Sequence, residues 1–262
     1  MYQLSFFCAL LLSLSCQGSD DTAIRKGSSK VVTANLFVER ADTLMTSVMA
    51  HFFGKSERDC WNDSYPNATG PYWDGDALVW GQGAGLSGFV AIREASVGIA
   101  GLDKKYAGMT ERMCNSIDRF LTTDNGIDAY AVYPAKGNDR FYDDNVWIGL
   151  SMIDLYNQTK EKKFLNKAVM VWKYLMKGYD KTCGGGIHWK EMNGASNTKH
   201  TCSTAPTAVL GCKLYQLTKD KTYLNTAVEL YEWLQKYLQD PTDYLYWDCI
   251  GPDMVPQKTK YT

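Results

Sequence analysis

Asp143 and Asp144 stand side by side in the run Phe141-Tyr142-Asp143-Asp144-Asn145-Val146-Trp147, and an apolar helical pattern begins directly behind them. A helix interior tolerates neither charge. A helix N-terminus tolerates both, because its first N–H groups lack partners and the dipole there is positive. Two readings follow. In one, Asp143 caps the helix and Asp144 complements the dipole. In the other, the pair performs acid/base chemistry on a sugar. A retaining glycosidase needs two carboxyls about 5–5.5 Å apart, one as nucleophile and one as acid/base. Like-charge proximity raises the pKa of one of them, which a proton donor at neutral pH requires. Residue types alone leave both readings open.

The elements that must position the pair repeat along the chain. Leu155-Tyr156-Asn157-Gln158-Thr159-Lys160-Glu161 is matched by Leu214-Tyr215-Gln216-Leu217-Thr218-Lys219-Asp220 at an offset of 59. The match continues from Phe164-Leu165-Asn166 to Tyr223-Leu224-Asn225, from Ala168-Val169 to Ala227-Val228, and from Leu175 to Leu234. Each copy is an apolar helix, a polar turn and an amphipathic helix. In the last copy Tyr223, Leu224, Ala227, Val228, Leu230, Tyr231 and Leu234 fall on one helical stripe. A weaker copy precedes them, with Asp103-Lys104-Lys105-Tyr106 at its hairpin turn. Ala205, Ala208, Gly211 and Cys212 are small enough to let helices approach closely, as an inner position in a ring requires.

Helices are predicted near 33–53, 77–95, 106–121, 144–157, 163–179, 205–217 and 222–238. Helical hairpins at this period form an open solenoid or a closed toroid. The loops between them, 182–203 for example, are long and irregular, which favours a toroid whose function lies in its loops. A closed ring of six hairpins needs twelve helices, so at about seven the chain reads as roughly a hundred residues short of closure.

A net charge of -1 leaves no electrostatic footprint for nucleic acid. Residues 1–16 read as an export signal, because 6–14 is almost entirely apolar and too short to span a membrane. Ser13-Leu14-Ser15-Cys16 resembles a bacterial lipobox. Cys16 would then be the lipidated N-terminus, 17–30 a polar tether and 31–262 the folded domain, with membrane contact only through the anchor. Plain secretion is the alternative. The six cysteines beyond the leader are scattered without paired spacing, and His51, His188 and His200 have no ligand spacing, so no metal site is expected.

Around the aspartates, Tyr142-Asp143-Asp144-Asn145-Val146-Trp147-Ile148-Gly149-Leu150 resembles the signature of glycoside hydrolase family 76, the endo-α-1,6-mannanases. Further matches follow in order. They are Gly184-Gly185-Gly186-Ile187-His188-Trp189, then Thr198-Lys199-His200-Thr201-Cys202-Ser203, and more loosely Trp80-Gly81-Gln82 early in the chain. The resemblance covers roughly residues 35 to 250. It implies an all-α, (α/α)6 barrel and retaining hydrolysis of α-1,6-mannosidic bonds by a monomer without cofactor. It also implies Asp143 as nucleophile, Asp144 as general acid/base, and Trp80, Gln82, Trp189 and Lys199 as residues lining the cleft for α-mannan. His200 and Thr204 stand where the family often has other residues, so the resemblance implies no subsite contacts there.

Other readings carry less. Gly81-Gln82-Gly83-Ala84-Gly85 imitates a nucleotide loop but lies in a helical pattern with no preceding strand. Ser151 and Ser203 have no GxSxG elbow. A non-catalytic glycan-binding protein is the main rival, with Trp80 and Trp189 holding sugar. Another six-hairpin glycosidase or lyase acting on acidic sugars would place basic residues by the acids, where only Arg140 and Lys199 are candidates.

Overall fold

The computed structural model describes residues 28–66, 75–134, 137–191 and 197–261, with side chains from residue 36 onward. The leader, Cys16 and residues 17–27 of the expected tether lie outside them. The chain divides into two units, one ending at Arg119 and one beginning at Phe120. No helix among the described residues is long and apolar enough to cross a membrane.

The first unit holds α1 (Ser28–Phe52), α2 (Val79–Ala95) and α3 (Leu102–Asp118). The glycine run sits inside α2, where it serves packing. A β-carbon on Gly85 would overlap the indole of Trp61. The expected hairpin turn at Asp103 is instead the first turn of α3. The real turn lies earlier, at Ser96 to Gly101, where Gly98 and Gly101 adopt φ of 75° and 83°. These values suit glycine and strain other residues.

The second unit opens on a hairpin that the sequence does not predict, and the helix expected to reach residue 121 ends at Asp118. β1 (Leu121–Asp124) pairs antiparallel with β2 (Ile127–Tyr130). Asn125 and Gly126 both take positive φ between them, 49° and 73°. Asn-Gly is the preferred pair for such a two-residue connection.

Two helical hairpins follow. α4 (Tyr142–Thr159) and α5 (Lys162–Leu175) make the first, and α6 (Thr201–Thr218) and α7 (Lys221–Tyr237) the second. Three of the four boundaries recur at the predicted offset. The turns match closely. Lys160 and Lys219 each hold φ of 61°. Thr159 and Thr218 each donate a hydroxyl to the carbonyl four residues back at 2.8 Å.

α4 and α6 bury residues around most of their circumference, whereas α5 and α7 bury one face. The first pattern belongs to an inner layer and the second to an outer one. Close approach depends on glycine as expected. A β-carbon at Gly149 would stand 2.9 Å from Val171, and one at Gly211 would stand 3.0 Å from both the Trp172 ring and the Tyr223 carbonyl. Three short strands complete the unit: β3 (Lys199–His200), β4 (Cys249–Ile250) and β5 (Pro256–Gln257). They form one antiparallel sheet in the order β3-β4-β5.

Candidate active site

The start of α4 is fixed from several sides. Asn145 uses its whole amide. Its Oδ1 accepts from the Tyr130 N–H at 2.8 Å, and its Nδ2 donates to the carbonyls of Tyr130 (2.9 Å) and Phe141 (2.8 Å). Tyr142 stacks on Tyr174 at 4.7 Å, and its N–H donates to the Trp189 carbonyl. Arg140, 2% exposed, forms a two-pronged pair with Glu191 at 2.6 and 2.8 Å and donates to the Ile127 carbonyl. Charge-assisted pairs of this planar type fix geometry as well as charge. The loop carrying Trp189 is thereby clamped to the helix start.

The cap is not an aspartate. Phe141 is the N-cap in extended conformation, without a side-chain capping bond, and Tyr142 is the first helical residue. Asp143 and Asp144 are therefore second and third, with neither in the capping position. The Asp143 Oδ2 accepts from the Trp189 indole N–H at 3.2 Å. Its Oδ1 is buried and has no hydrogen-bond partner among the described residues. Buried polar atoms without partners are few in folded proteins, and each needs an explanation.

Burial raises the Asp143 pKa above the usual carboxylate range, and the Trp189 N–H, first-turn amides and Cys202 thiol oppose that rise. Asp144 is pushed well above it by burial and by the charge on Asp143. The environments thus separate two adjacent carboxyls. One has donors that favour its anion, and the other has only burial and a neighbouring charge, which favour its acid form. That division suits one carboxylate for attack and one carboxylic acid for proton donation.

Trp189 links the pair to a second group. It meets Phe141 edge-on at 4.9 Å and stacks on His200 at 5.7 Å. His200 is the N-cap of α6, and its Nδ1 lies 3.5 Å from Asp248 Oδ1. Burial lowers the His200 pKa, against the pull of Asp248.

The expected cleft residues divide. Trp189 is 40% exposed and donates to Asp143. Trp80 is 46% exposed on α2, in the first unit. Gln82 departs from expectation. It is buried, and its amide is saturated by the Trp61 N–H, the Trp61 carbonyl and the Ala77 carbonyl at 2.8–2.9 Å. It staples a loop to α2 and presents nothing to a sugar. Lys199 departs likewise. Fully buried, its ammonium donates to the carbonyls of Gly178 (2.9 Å) and Gly186 (3.1 Å) and pairs with Asp180 at 2.8 Å. Burial disfavours the Asp180 anion, but Lys199, His188 and Thr182 more than offset this and hold its pKa far below the usual range. Lys199 therefore braces the glycine-rich loop from inside. The loop needs glycine because a β-carbon at Gly186 would stand 2.7 Å from Trp233. With Arg140 paired to Glu191 and Lys199 to Asp180, the two candidate partners for an acidic sugar are both engaged.

Two neighbours escaped the sequence reading. Cys202 lies beside Asp143, and the 59-residue offset leads straight from one to the other. Asp248 had no spacing signal, since β3 and β4 bring it to His200 from 48 positions away.

The Glycosyl hydrolase family 76 model matches residues 37–261. A family 76 mannosidase from Bacteroides thetaiotaomicron is 49% identical, with a TM-score of 0.81, over 86% of this chain and 62% of that one. A family 76 glycoside hydrolase from a bovine Bacteroides thetaiotaomicron strain is 52% identical, with a TM-score of 0.82, over 86% of this chain and 49% of that one. The α-1,6-mannanase of Salegentibacter sp. HEL1_6, solved as an inactive variant with α-1,6-mannotriose, is 22% identical with a TM-score of 0.65, over 84% of this chain and 58% of that one, and shares the fold. A comparison with curated proteins finds no match. The chain spans about half to three fifths of the length of these solved structures. With its hairpins of the (α/α)6 class and a family model matching nearly all of its described residues, the chain belongs to glycoside hydrolase family 76.

Proposed function

We propose that the protein is a retaining endo-α-1,6-mannanase with Asp143 as nucleophile and Asp144 as general acid/base. The observation that carries this reading is the state of the two carboxyls. Asp143 has a buried oxygen without a partner, and burial and its neighbour's charge raise the pKa of Asp144 beside it well above the usual carboxylate range. In the first step Asp143 Oδ1 attacks the anomeric carbon while Asp144 gives its proton to the leaving oxygen. The covalent mannosyl–enzyme forms as the glycosidic bond breaks. In the second step Asp144, now ionised, takes a proton from water, and the hydroxide displaces Asp143. Trp189 keeps Asp143 aligned through its indole N–H and offers its exposed face to a sugar ring. The α-1,6 linkage is the one held by the Salegentibacter relative.

The test is release of reducing ends from unbranched α-1,6-mannan by the purified chain. The reading expects mixed oligosaccharides from the wild type and none from Asp143→Asn. Mannan retained by the wild type without any cleavage would favour the glycan-binding alternative.

A further inference from the structure

The sheet β3-β4-β5 gathers a group of side chains that the mechanism does not use. His200 and Cys249 are directly opposed in the antiparallel register of β3 and β4, and Asp248 precedes Cys249. Directly opposed residues place their β-carbons about 4.5–5.5 Å apart on one face. One ligand atom from each of the three lies within 4.8 Å of the others. We propose that His200, Asp248 and Cys249 form a zinc site. It binds one Zn²⁺ through Nδ1, a carboxylate oxygen and the thiolate, with water in the fourth position.

The donor set fits that ion. Nitrogen, oxygen and sulfur together suit a borderline-soft cation, whereas magnesium and calcium favour oxygen alone. Zinc–ligand bonds of about 2.0–2.3 Å put tetrahedral ligands roughly 3.3–3.7 Å apart. The three atoms therefore need to close by only about an ångström. Thiolate and carboxylate supply two negative charges against the two of the ion, and the imidazole is neutral.

The surroundings support it. The second ring nitrogen of His200 is 2.9 Å from Thr198 Oγ1. Its Nδ1 faces Asp248 Oδ1 at 3.5 Å, so that with the proton on Nε2 toward Thr198 the Nδ1 lone pair and the carboxylate would both turn to an ion between them. Metal-binding histidines usually donate their other N–H to such a partner. The Cys249 thiol donates to Gln257 Oε1 at 3.2 Å. On binding, the S–H bond breaks, its proton leaves to solvent and the Zn–S bond forms. Gln257 then turns its amide N–H toward the thiolate. Asp248 itself is anchored, its backbone N–H donating to the carbonyls of Gln257 and Thr259. The His200 and Asp248 side chains keep 13% and 15% exposure, which leaves an approach for the ion.

Spacing could not reveal this site, because its ligands come from two strands far apart in sequence. It also stands independently of hydrolysis, so its test reads metal binding alone. Full-length protein stripped with chelator and given Zn²⁺ should retain one equivalent after desalting. Co²⁺ in its place should produce a thiolate-to-cobalt charge-transfer band. Cys249→Ser should abolish the band, and His200→Gln and Asp248→Asn should each weaken zinc binding at least about tenfold. Cys212→Ser, which removes an exposed thiol on α6, should change nothing. Circular dichroism of each metal-free variant separates loss of ligand from loss of fold. Absence of the band in the wild type, its survival in Cys249→Ser, or its loss in Cys212→Ser would each overturn the proposal. So would zinc affinity unchanged in two folded ligand variants.

Discussion

The hairpins α4–α5 and α6–α7 are the same device built twice. They share three of their four helix boundaries, left-handed lysines at φ of 61° and threonine-braced turns. Their N-caps correspond as well, since Phe141 and His200 are both extended, both lack a side-chain capping bond and both touch Trp189. They part at the second and third helical residues. The first hairpin has Asp143 and Asp144 there, and the second has Cys202 and Ser203. The difference separates what the repeat needs in order to fold from what the site needs in order to react. Caps, turns and small inner residues are common to both copies. The carboxyls, and the indole N–H aimed at one of them, belong to the first alone.

Transplanting the second copy's residues into the first breaks the comparison most severely. Asp143→Cys with Asp144→Ser should lower mannan hydrolysis by at least about a thousandfold, since the proposed nucleophile and the proposed proton donor are both lost. Thermal unfolding should stay cooperative, because the second hairpin carries these residues at the same helix start. An unfolded variant would mean that the acids hold the hairpin together.

The pair also has a signature in stability. Asp144 has its pKa raised in the folded state, so that state holds the proton more tightly than the unfolded chain. Stability therefore falls as pH rises from the ordinary carboxylate range toward the raised value. Asp144→Asn removes this penalty. Its thermal midpoint should exceed the wild type at pH 7, and the gain should vanish near pH 3, where the carboxyl is protonated in both states. A gain independent of pH would show that charge is not its source.

Trp189→Phe sharpens the comparison at one atom. It keeps a ring between the two N-caps and removes the N–H that Asp143 accepts. A hydrogen bond to a charged acceptor contributes about 1.5–3 kcal/mol, so kcat/KM should fall roughly tenfold or more. The acidic limb of the pH profile should shift upward, because the anion loses a donor. An unchanged limb would remove Trp189 from the positioning of Asp143. The smallest effect probes equivalence itself. Lys160→Gly and Lys219→Gly should each stabilise the protein by about 0.5–1 kcal/mol, since glycine takes positive φ without strain. Unequal values, read by denaturant unfolding, would show that the two turns are not energetically alike.

Much of this was legible because local chemistry repeated. The turn residues, the amphipathic stripe of α7 and the small residues of α6 each imply their structure within a short window. Asp143 and Asp144 were visible by type, and Cys202 could have been read from the same offset. Other parts depend on contacts that no spacing encodes. Gln82 and Lys199 look like sugar-binding residues, yet both satisfy buried backbone carbonyls, a need that appears only once the loops are folded. The β1–β2 hairpin was missed although Asn125-Gly126 announces it, because the preceding helical pattern runs into it. Asp248 is brought to His200 by a strand pairing of two residues, too short to leave a pattern.

The central claim is that the first hairpin's carboxyl pair cleaves mannan by double displacement. Proton NMR of the anomeric region during the first minutes of α-1,6-mannan hydrolysis tests it most directly. The account predicts that the α-anomer of the new reducing end forms first and the β-anomer appears later by mutarotation, with neither signal from Asp143→Asn. Initial formation of the β-anomer, or equal hydrolysis by Asp143→Asn, would contradict it.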